Sequence, residues 1–280
     1  MRKIDCSLIT NEVSRLCQEA NYNLSPDLAE ALRNASLNEE SPAGRAVLGE
    51  LLDNARIAAE QRLAICQDTG MTVVFVELGQ DIHITGGSLT GAINTGVARG
   101  YTGGYLRASV VSDPLLRENT GDNTPAVIHY DLVPGDQLRI TVAPKGFGSE
   151  NMSAACLLSP SQGVEGIRRF VLDTVSRAGP NPCPPVIIGL GLGGTLEKAA
   201  LLAKRALLRP VGSHNPLPHL AELENSLLGD INRLGIGPAG LGGCTTALAL
   251  NIESFPTHIA GLPVVLNMGC HATRHAEVII

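Results

Sequence analysis

Ile65-Cys66-Gln67-Asp68-Thr69-Gly70 runs through Met71 into the apolar run Thr72-Val73-Val74-Phe75-Val76. The second half predicts the fold: a short, β-branched, continuously apolar segment is a strand covered on both faces. The first half is the turn that leads into it. There a thiol, an amide, a carboxylate and a hydroxyl fall on consecutive residues before a glycine that lets the backbone turn tightly. Loops held by rigid elements are frequent hosts of chemistry. A cysteine before a turn serves equally as a small buried hydrophobe, so the hexapeptide alone leaves both readings open.

Upstream the pattern is helical. Cys6, Ile9, Val13, Leu16, Cys17 and Ala20 form one apolar stripe, and Pro26 and Pro42 each open a further helix. Downstream the chain alternates between strands and helices. Glycines punctuate an amphipathic stretch over 86–104. Residues 126–133 and 137–142 read as two strands joined by a hairpin-type connection at Pro134-Gly135-Asp136. The strict alternation of the second strand predicts one face open to water. A helix from Ser161 carries Ile167, Val171 and Val175, and three prolines around Cys183 give that thiol a stiff mount before the strand at Val186. The expected architecture is therefore α/β: a helical N-terminal lead-in over 1–64, then a body over 65–280 with a mixed β-sheet and packed helices, in one domain.

Two glycine-rich segments invite anions. Lys145-Gly146-Phe147-Gly148 follows a strand with a lysine at hand. Gly189-Leu190-Gly191-Leu192-Gly193-Gly194 satisfies GxGxxG between a strand and a helix, the setting of a dinucleotide fold, and supports a nucleotide-binding module as a rival. Its expected acidic partner, about 20 residues on, is replaced by Arg209-Pro210-Val211-Gly212-Ser213-His214. Near the C-terminus Cys270-His271-Ala272-Thr273-Arg274-His275 suggests a metal or an anion, or else a polar surface.

Composition narrows the class. The 280 residues are 44% hydrophobic and 17% charged, as in compact enzymes. A net charge of −6 without a basic run argues against a nucleic-acid surface. Seven widely spaced cysteines, with no CxxC and no secretory leader after Met1-Arg2-Lys3, argue against a disulfide framework. With no long apolar run to cross a membrane, a soluble, reducing, cytoplasmic setting is expected.

The segments ICQDTG (65–70), NPCPP (181–185) and CHATR (270–274) occur in the order seen in the iron–sulfur-dependent fumarases. PKGFGSEN (144–151), GPAGLGG (237–243) and PTHIAGLP (256–263) extend the likeness. The chain resembles the α subunit of a two-subunit class I fumarate hydratase or L-tartrate dehydratase. The resemblance implies a 4Fe-4S cluster held by Cys66, Cys183 and Cys270, with one iron open to act as a Lewis acid on the substrate hydroxyl. It implies Asp68 as the acid–base residue, with His258 near the substrate as a second catalytic candidate. Arg107 would grip a substrate carboxylate, and Gln67 and Gly148 would line the pocket. It also implies a separate β subunit, in an α2β2 assembly, that completes the site. The reaction would be reversible dehydration of (S)-malate to fumarate, or of L-tartrate to oxaloacetate. Two positions depart from the family pattern: Cys244, where many relatives are expected to carry lysine, and Phe147, where long single-chain relatives have glycine.

Overall fold

A computed structural model describes residues 1–280. Its fold is mixed α/β, and its contacts group into two compact units: Met1–Leu24, Ala55–Phe147 and Arg274–Ile280 in the first, Ser25–Asn54 and Gly148–Thr273 in the second. The helical lead-in is shared between them. Helix α1 (Cys6–Tyr22) belongs to the first and α2 (Pro26–Asn38) to the second, while α3 (Pro42–Gln61) is divided after Asn54. No helix is long and apolar enough to cross a membrane.

In the first unit the predicted strand is β2 (Met71–Gly79), and Val73 to Val76 are all buried. That two-sided burial gives it a central place. It pairs in parallel with β4 (Val127–Val133) and antiparallel with β5 (Leu138–Lys145), and β5 pairs in turn with β10 (Ala276–Ile279). The expected hairpin of 126–133 with 137–142 is thereby corrected: β4 and β5 are not neighbours, because β2 lies between them. Pro134-Gly135-Asp136 instead arches over the end of β2, where Gly79 and Asp81 donate to the carbonyls of Gln137 and Gly135. Turn chemistry identifies the bend and the two strands it joins, but not that they are unpaired.

The alternation of β5 holds in part. Leu138, Ile140 and Val142 are fully buried, and on the other face Arg139 reaches Glu277 at 2.7 Å while Thr141, covered by the same carboxylate, is also buried. A two-stranded parallel sheet of β1 (Arg2–Asp5) and β3 (Ile82–Thr85) precedes α1 and α4 (Leu89–Gly103). Asp5 caps α1 by accepting from Ser7 N at 2.9 Å. The stripe of α1 packs against α4 at its glycines: a Cβ at Gly96 would sit 2.7 Å from Thr10 O, and one at Gly100 2.8 Å from Cys17 Cβ.

After α5 (Phe147–Glu150), the second unit is built on a sheet in the order β6 (Ala154–Leu158), β9 (Leu262–Gly269), β7 (Val186–Gly193), β8 (Ala247–Phe255). One face carries α6 (Gly163–Ala178) and α8 (Pro218–Asn232), whose Ile167, Val171, Val175, Leu223, Leu227 and Ile231 share a core with Ile188, Leu190 and Leu266. The other face carries α7 (Leu196–Ala206) through Ala199, Ala203 and Val265.

This arrangement overturns the nucleotide-binding reading of Gly189–Gly194. Gly189 to Gly193 are not a loop; they belong to β7, whose eight residues are all buried. A Cβ on Gly189 would overlap Ala203 O, and one on Gly191 would overlap Ala199 O. The glycines let the backbone of α7 lie directly on the strand, which leaves no room for a phosphate. Gly191→Ala should therefore destabilise the chain by about 3 kcal/mol, the upper part of the overpacking range. Gly49→Ala in α3, with nothing within 4 Å of the added Cβ, should stabilise it by about 0.5–1 kcal/mol. Urea unfolding of the two variants checks this, and an unchanged midpoint for Gly191→Ala would refute the close contact.

Candidate active site

The loop that carries Cys66 and Asp68 is held from its backbone outward. Ile65 N donates to Asn21 O at 2.9 Å. The next carbonyls are taken by side chains that are almost wholly buried: Asp68 O by Arg274 Nη2 at 2.6 Å, Thr69 O by the Tyr101 hydroxyl at 2.7 Å, and Gly70 O by Asn123 Nδ2 at 3.1 Å. Arg274 also donates through Nε to Asn21 Oδ1 at 3.2 Å, while Asn123 Oδ1 accepts from Ser109 N at 2.8 Å. Burial pushes the Tyr101 phenol up, so it stays a fixed donor at neutral pH. Gly70 has φ 77°, and a Cβ there would come within 2.7 Å of Lys145 N, so only glycine admits this approach to the end of β5.

The half-buried Asp68 side chain is fixed as well. Oδ1 accepts from Gly70 N at 3.0 Å and Oδ2 from Phe147 N at 2.8 Å. A Cβ at Gly146 would lie 3.1 Å from Oδ2, so that glycine leaves room for the carboxylate. Gln67 and Arg107 are exposed. Cys66 Sγ lies 3.3 Å from Gln67 Oε1, and Arg107 is tied in through its backbone, its carbonyl accepting from Thr69 Oγ1 at 3.0 Å. One loop system of the first unit thus brings together Cys66, Gln67, Asp68 and Arg107.

In the second unit the proline-flanked Cys183 has φ 57° and donates through its N–H to Pro180 O at 3.0 Å. Its carbonyl faces His271, which approaches through N at 3.4 Å and through Nδ1 at 3.0 Å. Cys270 is the preceding residue, in a turn closed by Thr273 N and Oγ1 on its carbonyl at 2.9 and 2.8 Å. His271 therefore joins the segments of Cys183 and Cys270. His258 is exposed; its Nδ1 accepts from Ala260 N at 3.2 Å, and it borders an open groove of about 540 Å³ with Thr195, Lys198, Phe255 and Thr257. Gly148 is exposed, and a Cβ there would have its nearest neighbour, Asn181 O, at 3.9 Å.

The cysteines divide by setting. None is in a disulfide. Burial pushes the Cys6 thiol up and the Cys17 thiol up to about 12, and it raises Cys156 on β6; such thiols stay protonated. Cys66, Cys183, Cys244 and Cys270 lie instead on loops with partial or full exposure. Within neither unit do three metal-ligating side chains converge.

The residues that hold the first loop were not singled out from the sequence. Asn21 and Tyr101 lie inside helices, Asn123 inside a polar turn segment. Their one visible signal is chemical: each is polar at a position where the apolar pattern would place a hydrophobe or solvent. Arg274, four residues after Cys270, suggests a metal or an anion in the sequence, but the structure gives it another task. It is 5% exposed, and its guanidinium donates to Asp68 O and Asn21 Oδ1. The two departures from the family pattern have a common form. At Phe147 and Cys244 the backbone N–H donates, to Asp68 and to Glu39, and both side chains are exposed, the Cys244 thiol also approaching Asn38 O at 3.6 Å.

Comparison with known proteins agrees with this architecture. A family model described as fumarate hydratase (Fumerase) matches residues 10–279. A protein of Methanocaldococcus jannaschii named "Putative L(+)-tartrate dehydratase subunit alpha" is 42% identical over 274 residues, covering 96% of each chain. L(+)-tartrate dehydratase subunit alpha of Escherichia coli O157:H7 is 33% identical over 276 residues, covering 97% of this chain and 90% of that one. The strain K12 protein of the same name is 32% identical over the same length. The family match and the names of these relatives define a chain of the hydro-lyase class. It belongs to the fumarate hydratase family.

Proposed function

We propose that this chain is the α subunit of a two-subunit hydro-lyase that interconverts (S)-malate and fumarate. The observation that carries the reading is the Asp68 loop, in which a carboxylate two residues from Cys66 is fixed at both oxygens by backbone N–H groups, with the Arg107 backbone held to the same loop by Thr69. A carbon-bound proton is weakly acidic, and a positioned carboxylate is suited to remove or return it. The planar fork of Arg107 suits a substrate carboxylate. Gln67 and Gly148 would line the pocket, and His258 would face the substrate.

The donor set fits an iron–sulfur cluster. Thiolates are its usual ligands, and Cys66, Cys183 and Cys270 are loop thiols with partial or full exposure, as is Cys244; the motif positions set the three apart. These three would hold a 4Fe-4S cluster, which when bound supplies a Lewis acid for the departing hydroxyl. Asp68 handles the proton at the neighbouring carbon, Arg107 orients the carboxylate, and a β subunit, as the name "subunit alpha" of the relatives suggests, completes the site in a cytoplasmic α2β2 enzyme.

The names of the curated relatives favour a second reading, L(+)-tartrate as substrate and oxaloacetate as product. The two substrates differ by one hydroxyl. Anaerobic assay of the α and β subunits together should give dehydration of one at a kcat/KM at least about tenfold above the other, since a site built to hydrogen-bond a hydroxyl rejects the analogue without it. Turnover of neither substrate by the reconstituted pair would overturn the hydro-lyase reading.

A further inference from the structure

Glu39, at the C-terminal end of α2, is 2% exposed, and the donors on its carboxylate are main-chain N–H groups together with Thr245. Oε1 accepts from Ser41 N at 3.0 Å and from Cys244 N at 3.0 Å; Oε2 accepts from Thr245 N at 2.9 Å. A buried carboxylate with such partners is costly to assemble, and the catalytic reading gives it no task. What it holds is the loop 235–246, which contains five glycines and one proline. Gly237, Gly240, Gly242 and Gly243 all have positive φ, so the loop has little side-chain packing of its own to fix it. A Cβ on Gly243 would overlap Glu39 Oε1, so the carboxylate lies directly on the loop backbone.

The far side of that loop backs the Cys183 mount. Ala239 N donates to Pro184 O at 2.9 Å, and a Cβ on Gly240 would overlap Pro180. The loop also closes on itself through Gly237 N and Thr246 Oγ1 at 3.2 Å, and Thr246 O receives Val186 N at 2.9 Å. From Glu39 to the two prolines flanking Cys183 there is a continuous line of hydrogen bonds and close backbone contacts.

We propose that Glu39 is a positioning residue for Cys183, acting through the 237–246 loop to hold the Pro180–Pro185 segment in the conformation from which its thiol ligates. The role in ligation rests on the cluster reading above; the coupling of Glu39 to the segment does not. Burial works against ionisation of Glu39, but the hydrogen bonds from Ser41, Cys244 and Thr245 outweigh it and hold the carboxyl down at about 2. It is thus a permanent acceptor across the working pH range. Glutamine offers one acceptor oxygen and turns an NH2 against an N–H, leaving at least one main-chain donor unpaired.

The test uses the full chain carrying Glu39→Gln, with Leu227→Ala as a variant that weakens the core of the same unit away from the loop. Two readouts are taken well below the unfolding temperature. Hydrogen exchange of the metal-free chain should speed up by about tenfold or more over 180–186 and 237–246 in Glu39→Gln and stay unchanged over α6. Iron loss to a chelator, after anaerobic reconstitution with iron and sulfide, should be faster in Glu39→Gln and unchanged in Leu227→Ala. Gly243→Ala, which pushes on the same carboxylate from the loop, should reproduce both effects and serves if the glutamine variant does not fold. Exchange that rises equally everywhere, or stays at the wild-type rate over 180–186, would overturn the proposal. If the wild type takes up no iron, the cluster reading fails, while the exchange pattern still decides the coupling.

Discussion

Asp68→Asn should lower the turnover of the α and β subunits together by about 10²- to 10⁴-fold, the usual contribution of a positioned acid–base group, while iron and sulfide content stays at the wild-type level. Asparagine is nearly isosteric and keeps one oxygen for Gly70 N or Phe147 N, which now share the two carboxylate oxygens at 3.0 and 2.8 Å. It turns an NH2 toward the other donor, which costs the loop about 1–3 kcal/mol of stability. Thermal unfolding of the α subunit measures that part separately. A variant with the wild-type rate would remove Asp68 from the chemistry and leave it a loop anchor.

Arg274→Met should be the most damaging change that does not touch a proposed ligand or substrate contact. It leaves Asp68 O and Asn21 Oδ1 without the guanidinium that now reaches them at 2.6 and 3.2 Å. Each orphaned buried acceptor costs about 1–3 kcal/mol, so a loss of roughly 2–6 kcal/mol is expected. Because Asp68 O is the carbonyl released, turnover should fall with it, in kcat more than in KM. Arg274→Lys keeps the charge but not the two-pronged donor and should recover only part of the loss. Equilibrium urea unfolding decides: a change below about 0.5 kcal/mol, within the range of an ordinary surface substitution, would show that the loop does not depend on Arg274.

The sequence was most legible where one physical signal dominated. The apolar run 72–76 became the buried centre of β2, and the stripe of α1 became a core face, because burial on two sides or one leaves a period that can be counted. It was least legible where the signal is shared by two causes. Gly189 and Gly191 match a phosphate loop as a string, yet the same absence of a Cβ is what α7 requires to lie on β7. Likewise a turn at Pro134–Asp136 shows that the chain bends but not that β2 separates the two strands it joins. The cysteine and aspartate positions came from motifs in a fixed order. Their support did not: Asn21, Tyr101 and Asn123 are far from 65–70 in sequence and carry no local pattern, and Arg274, although it closes the CHATR motif, gives no sign there that it holds Asp68 O. Long-range side-chain to backbone hydrogen bonds leave no period to read.

The measurement that tests the central claim most directly is iron and acid-labile sulfide per α chain after anaerobic purification, for the wild type, Cys183→Ser and Cys244→Ser. Cys183 is a proposed ligand, while Cys244 is an exposed loop thiol outside the ligand set. A 4Fe-4S complement is expected in the wild type and in Cys244→Ser, and its loss or degradation in Cys183→Ser. No iron or sulfide in the wild type even after anaerobic reconstitution, or an intact complement in Cys183→Ser, would contradict that claim.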